Sequence, residues 1–297
     1  MKIYDFYKKH DEDVVVIAGF FDCIHAGHLE LIERGKTLAN KLNATAALFT
    51  FSNDPAAVFN RANGLVLTFE ERLIKLEKHY INFVITCDFT KDFALTSRDD
   101  FLKTLTCNFR VKGFVCGYDY TFGYKASGNR DYLKTYCEEN GIAFEAVDEI
   151  VLQGKRISTT LVKEYLSAGD IKSVNKLLAD PYFIKGIVVE GRKDGRKLGF
   201  PTANLLLRSD KYRIKRGVYK TRVIVDGKEF KAITNYGTQP TFNADSLVVE
   251  SHLKGFSSDL YGKEIIVIFD DYIREIVKFY DIADLKKQLE KDMEVLK

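Results

Sequence analysis

The stretch Val14–His28 reads VVVIAGFFDCIHAGH and decides the fold of the first half of the chain. Val14–Ile17 is a short apolar, β-branched run, which suits a buried parallel strand. Gly19 ends it, Asp22 follows, and His25 and His28 stand three apart around Ala26 and Gly27. Apolar residues then recur at Leu29, Ile32, Leu38, Ala39 and Leu42, a spacing that predicts a helix over roughly 29–42. The two histidines therefore stand where a strand gives way to a helix. A helix start offers unpaired backbone N–H groups and the positive end of the helix dipole, both favourable to phosphate. Small residues there let a nucleotide approach the backbone. The segment reads as a nucleotide-phosphate site whose histidines stabilise charge on a phosphoryl group in transfer.

Outward from this stretch, strands and helices alternate. Thr45–Phe51 is a second buried strand, and Asn53-Asp54-Pro55 breaks it as a loop. The segment 68–79 is helical, with Thr68 as N-cap and Glu71 completing a capping box. Strands follow near 83–86, 109–116 and 143–151, separated by helices near 98–105 and 131–140. The alternation predicts a parallel sheet with helices on both faces, an α/β nucleotidyltransferase-like domain. Ligands of such sheets bind beyond the carboxyl ends of strands, where Gly19–His28 and Gly117–Gly128 both lie. Gly117–Gly128 reads GYDYTFGYKASG. Its rings, with Asp119 beside Tyr120 and Phe122, suit a flat heteroaromatic ligand, or else cap the core from a tight surface loop. The hydroxyls of Ser158, Thr159 and Thr160 beside Arg156 serve equally as a helix cap or as a second phosphate site.

Asp180-Pro181 marks the domain boundary, giving 1–180 and 181–297. Beyond it the period changes to short alternating strands joined by turns, with Asp226-Gly227 a hairpin signal. The second domain is expected to be an antiparallel β-barrel closed by a terminal amphipathic helix with apolar residues at Ile282, Leu285, Leu289, Met293 and Leu296. Thr202 and Asn204 in GFPTAN carry oxygen groups two apart on an extended segment, so both face one side. Hard oxygen ligands of this kind suit Mg²⁺ held between protein and phosphates. Gly191, Gly195 and Gly199 make a flexible, basic loop upstream that lacks the P-loop pattern. Glu250 in VVESHL is either a solvent-facing strand carboxylate or, if it faces the barrel mouth, a base for an attacking hydroxyl.

Composition narrows the class. The chain has 297 residues, is 46% hydrophobic and carries a net charge of +3. The excess lies beyond residue 180, which is +5 against −2 for the rest, and concentrates between Arg192 and Arg216. That is too little to argue for nucleic acid. None of the five cysteines shows CxxC spacing, which argues against zinc and for reduced thiols in a cytoplasmic protein. No apolar leader precedes Val14, and no run reaches the ~18 residues of a membrane span.

In this order GFFDCIHAGH, GYDYTFGYKASG, RISTTLVKEYLSAGD, GRKDGRKLGFPTANL, GVY, NYGTQPTF, VESHL and DLYGKEI resemble the prokaryotic bifunctional riboflavin kinase/FAD synthetase family over essentially the whole length. The resemblance implies an FMN adenylyltransferase followed by a six-stranded riboflavin kinase barrel, with riboflavin, FMN and ATP as substrates, Mg²⁺ as cofactor, and a monomer or weak homo-oligomer. By resemblance, His25 and His28 contact ATP phosphates, with Gly19, Phe20, Arg156, Thr159 and Thr160. Asp119 takes the place of a catalytic amide or acid beside the flavin-binding Tyr120 and Phe122. In the barrel, Thr202 and Asn204 match the Mg²⁺ and ATP positions, Gly191 and Gly199 flank the ATP, and Glu250 matches the catalytic base. The sequence departs from the family pattern in the first half: Cys23 replaces a glycine, Asn53-Asp54-Pro55 lacks a histidine, Val162-Lys163 replaces Ile-Arg, and GYDY replaces GxDF. The alternative is a riboflavin kinase with an idle N-terminal domain.

Overall fold

The computed structural model describes residues 1–152, 154–190, 202–238, 247–256, 258–277 and 281–296. Its contacts divide the chain into Met1–Leu161 and Val162–Lys297.

The first unit is a six-stranded sheet in which every pairing is parallel. Its order is β1 (Lys2–Asp5), β4 (Phe83–Cys87), β3 (Thr45–Phe51), β2 (Asp13–Ala18), β5 (Arg110–Gly117) and β8 (Ala143–Val147). The chain winds outward from β2 through β3 to β4, then returns to place β5 on the other side of β2. The strand order thus reverses beside the carboxyl end of β2, where α/β sheets place their ligands. Both faces of β2 are buried. Val14, Val16 and Ala18 join a core rich in phenylalanine, while Ile17 on the other face meets helix α1 (Ala26–Lys41). Gly35 permits that contact, since a Cβ there would stand 2.3 Å from Ile17 Cγ1. Helix α2 (Phe69–Lys78) carries the expected capping box of Thr68 and Glu71. Helices α3 (Arg98–Asn108) and α4 (Arg130–Glu139) complete the layers.

Helix α1 begins earlier than its apolar spacing suggests. Its N-cap is His25, so His28 lies inside the first turn rather than before it. Strand β1 was not foreseen, because KIYD is too short and polar to register as a buried run. Two hairpins of two-residue strands, β6/β7 (Thr121–Phe122 with Gly128–Asn129) and β9/β10 (Val151–Leu152 with Lys155–Arg156), stand above the sheet's carboxyl end.

The second unit opens with helices α5 (Thr159–Ala168), which crosses the division between units, and α6 (Ile171–Leu177). An antiparallel sheet follows in the order β11 (Phe183–Ile187), β16 (Glu264–Arg274), β13 (Gly217–Val225), β14 (Lys228–Thr238), β15 (Leu247–Leu253) and β12 (Thr202–Leu206). The chain next to one edge meets the other edge where Val189 N–H donates to Asn204 O at 2.8 Å, nearly closing a barrel. Asp226 and Gly227 have φ of 49° and 75°, the left-handed pair that a tight hairpin between β13 and β14 requires. Inside the barrel Thr221, Thr234 and Ser251 are buried, and their hydroxyls chain together at 2.7 and 2.8 Å. The C-terminal helix (Ile282–Glu294) is followed by Leu296, which packs with Met293 on Val218 and Ile233.

Candidate active sites

A cavity of about 770 Å³ opens at the carboxyl end of the parallel sheet. Gly19, Phe20, His25, His28, Asp119, Tyr120, Phe122, Arg156 and Thr159 all line it. These residues come from three separate stretches of sequence, and the crossovers of the sheet bring them together. Thr160 is exposed and does not line the cavity, because helix α5 turns it away.

The two histidines form one unit. His25 Nδ1 accepts from the His28 backbone N–H at 3.2 Å, and the rings stack at 3.8 Å with 7° between their planes. Phe21 packs against the second ring at 4.9 Å. Burial pushes the His25 imidazole down to about 4, helped by the nearby Arg156 cation and opposed by a hydrogen bond to its own backbone and by the Asp119 carboxylate. Burial and the neighbouring His25 hold His28 well below its ordinary value. Both rings are therefore neutral at neutral pH, and an arriving phosphate would draw protons onto them. The loop before them bends at Phe21 and Ile24, with φ of 57° and 47°. Cys23 is not among the left-handed residues, so the loop accommodates its Cβ without backbone strain at that position.

Arg156 forms an ion pair with Asp119 at the cavity and lies over the Tyr118 ring at 4.8 Å. Ser158 Oγ accepts from Leu161 N–H at 3.2 Å, so the first hydroxyl of the triplet caps α5 and Thr159 is left to face the cavity. Lys163 lies over Tyr212 at 5.2 Å and does not line the cavity.

Sequence reasoning missed the apolar wall. Phe51, Phe59, Phe89, Phe93 and Phe101 line the cavity beside Tyr120 and Phe122, which stack at 5.6 Å. Asn53 helps to build this wall by accepting from Phe89 N–H at 2.8 Å and donating to Phe89 O at 3.2 Å. The phenylalanines in TFSNDPAAVF and CDFTKDF were the available signal. Arg72, fully buried, was also missed. It donates to Phe20 O, Thr50 Oγ1 and Phe51 O at 2.8–2.9 Å, tying the loop after β2 to the end of β3.

The barrel carries a second constellation. Asn204 stands opposite Glu250 across β12 and β15, and Glu250 opposite Asn235 across β15 and β14. Thr202 Oγ1 donates to Glu250 Oε1 at 3.1 Å. Ser251 points into the barrel, so strand alternation puts Glu250, Asn204 and Asn235 together on the opposite, outer face of the sheet. Asn235 Oδ1 is buried without a hydrogen-bond partner in that row. Gly191, Gly195 and Gly199 lie outside the described residues.

Residues 7–161 match the family model described as FAD synthetase, and residues 178–297 match that described as riboflavin kinase. The chain is 35% identical to the bifunctional riboflavin kinase/FMN adenylyltransferase of Haemophilus influenzae, over 94% of this chain and 92% of the relative. It is 32% identical to the protein of the same name from Bacillus subtilis, over 96% and 92%. A crystal structure described as a macrolide-efflux protein from Streptococcus pneumoniae superposes with a TM-score of 0.88 at 29% identity, covering 99% of this chain and 98% of that one. Among the described residues no helix is long and apolar enough to cross a membrane.

Proposed function

Because the chain belongs to the bifunctional riboflavin kinase/FMN adenylyltransferase family, we propose the following division of its two ATP-dependent reactions among its residues. The chain phosphorylates riboflavin to FMN and adenylylates FMN to FAD. Residues 1–180 carry the adenylylation and 181–297 the phosphorylation.

In the first half, His25, His28, Arg156 and Thr159 receive the phosphates of ATP, and the aromatic wall takes the isoalloxazine ring of FMN. An oxygen of the FMN phosphate attacks the α-phosphorus, and the bond to the bridging oxygen of pyrophosphate breaks. The helix N-terminus and the imidazoles, protonated as phosphate arrives, hold the developing charge. Asp119 pairs with Arg156 in the free protein, so it steers that guanidinium until phosphate replaces the carboxylate. One observation carries this reading: neutral, stacked histidines at a helix start share a single cavity with Arg156 and an apolar ring-binding wall.

In the barrel, Glu250 takes the proton from the ribityl hydroxyl of riboflavin as that oxygen attacks the γ-phosphorus, with ADP leaving. Thr202 and Asn204 would hold Mg²⁺. The Thr202 hydroxyl gives its proton to Glu250, which leaves its oxygen lone pairs for a hard cation, so the donor set fits. Bound there, Mg²⁺ would neutralise phosphate charge in the transition state.

Chromatography of products tests the assignment. Riboflavin with ATP and Mg²⁺ should yield FMN and then FAD, and FMN with ATP should yield FAD. FMN without FAD from either start would leave the riboflavin kinase alone.

A further inference from the structure

Cys23 stands where the family pattern carries glycine, and the fold builds a cluster around it. One ligand atom each from Cys23, His25 and His28 lie within 4.8 Å of one another. Cys23 is fully buried and 3.5 Å from Thr159 Oγ1, which lines the cavity. His25 and His28 line the cavity themselves, and His28 Nδ1 is buried without a hydrogen-bond partner. We propose that these three side chains bind a borderline-soft divalent cation, Zn²⁺, and that the bound ion shuts the adenylyltransferase site to productive ATP. The proposal rests on the assignment of His25 and His28 to the ATP phosphates.

The donor set is that of a three-ligand zinc site with one open position: one thiolate and two neutral imidazoles. Zinc at ordinary bond lengths sets tetrahedral ligand atoms about 3.3–3.8 Å apart. The cluster therefore has to contract by no more than about 1.5 Å, a distance side-chain rotation supplies. The stacked rings direct their in-plane lone pairs along parallel planes, so one imidazole must turn to face a common ion. His25 Nδ1 is engaged by the His28 N–H, which leaves its Nε2 for the metal. Cys23 binds as the thiolate and its proton passes to solvent, so affinity rises with pH. Mg²⁺ prefers hard oxygen and gains nothing from the sulfur, so it does not compete for this site. The absence of CxxC spacing had argued against zinc. The set that the fold assembles is mixed, one cysteine with two histidines around the turn into α1. A phosphate reaching the open position would rest on the ion, displaced from the imidazoles and the helix N-terminus. Phosphorylation of riboflavin uses neither histidine and would continue.

The test uses the full chain, its Cys23→Gly and Cys23→Ser variants, and Cys107→Ser as control for the exposed thiol. Melting curves verify that each variant folds, and Cys23→Ser, which keeps the Cβ and a small polar group, backs up Cys23→Gly. Titration with Co²⁺ should give one thiolate-to-cobalt charge-transfer band per chain. Zn²⁺ should displace it, and it should be lost in both Cys23 variants and kept in Cys107→Ser. With ATP and Mg²⁺ held fixed, Zn²⁺ should inhibit FAD formation from FMN and spare FMN formation from riboflavin. In Cys23→Gly the half-inhibiting Zn²⁺ concentration should rise by at least about tenfold, the lower end of what even an outer-shell loss costs metal affinity. The proposal is overturned by the absence of a charge-transfer band, by its persistence without Cys23, or by equal Zn²⁺ sensitivity with and without Cys23. A Cys23-dependent band with FAD formation insensitive to Zn²⁺ would keep the metal site, overturn its effect on ATP, and remove the histidines from the phosphate-binding role.

Discussion

His25 caps the helix that carries His28, accepting from its backbone N–H at 3.2 Å while the two rings lie 3.8 Å apart. Structure and chemistry thus depend on one side chain, and two substitutions separate them. His25→Asn keeps a good N-cap and should retain the melting temperature within a few degrees, yet lose most FAD formation. His25→Ala should lose both, with about 0.5–2 kcal/mol of stability gone. Thermal melts and product analysis on both variants check this.

The depressed histidines make the first unit sensitive to acid. In the unfolded chain His25 titrates near its ordinary value of 6.5, and in the folded chain near about 4. Between those values the unfolded state binds more protons, so stability falls as pH drops through that window, by up to about 3 kcal/mol from His25 alone. Melts from pH 7 to pH 4 should show this slope, and His25→Asn should flatten it. An unchanged slope in the variant would assign the acid sensitivity to other groups.

Gly35 is required by the close approach of α1 to β2. Gly35→Ala should destabilise the protein by about 1–3 kcal/mol through overpacking against Ile17. Ile17→Ala should offset part of that loss when the two are combined. Urea unfolding of the two single variants and the double variant measures the coupling.

Arg72 holds three oxygen acceptors at the ends of β2 and β3 with no solvent to replace it. Arg72→Met should deprive the Phe51 carbonyl of its side-chain donor, at roughly 1–3 kcal/mol, and leave Phe20 O held by the Thr50 hydroxyl alone. The displaced Phe20 loop should raise KM in FAD formation more than it lowers kcat. FMN formation from riboflavin, measured on the same preparation, should be unchanged.

Glu250→Gln keeps an acceptor for the Thr202 hydroxyl and removes the base. FMN formation should fall by about 10²–10⁴. FAD formation from supplied FMN should be untouched. Loss of both activities would point to misfolding in place of lost base catalysis.

Local chemistry was legible without the structure. The β-branched run Val14–Ile17, the capping box of Thr68 and Glu71, and the Asp226-Gly227 hairpin each form where a short-range rule places them. Such features depend on neighbours within a few residues, and the sequence displays those neighbours directly. The alternation of strands and helices was legible for the same reason, and with it the parallel sheet and the place of the cavity. The edge strand β1 was not, since its pairing with β4 rests on backbone bonds that leave no apolar pattern in KIYD.

The membership of the sites was decided elsewhere. Cys23 meets Thr159 and Asp119 meets Arg156 across long sequence separations. The phenylalanine wall draws on loops after different strands. Strand register, which no local propensity sets, turned Glu250, Asn204 and Asn235 to the outer face of the barrel, and helix α5 turned Thr160 away from the cavity that Thr159 lines. The sequence alone determined which elements form and where a phosphate would find free N–H groups. Only the tertiary structure decided which side chains share a cavity, because crossover connections and pairing register bring together residues whose separation along the chain carries no trace of the contact.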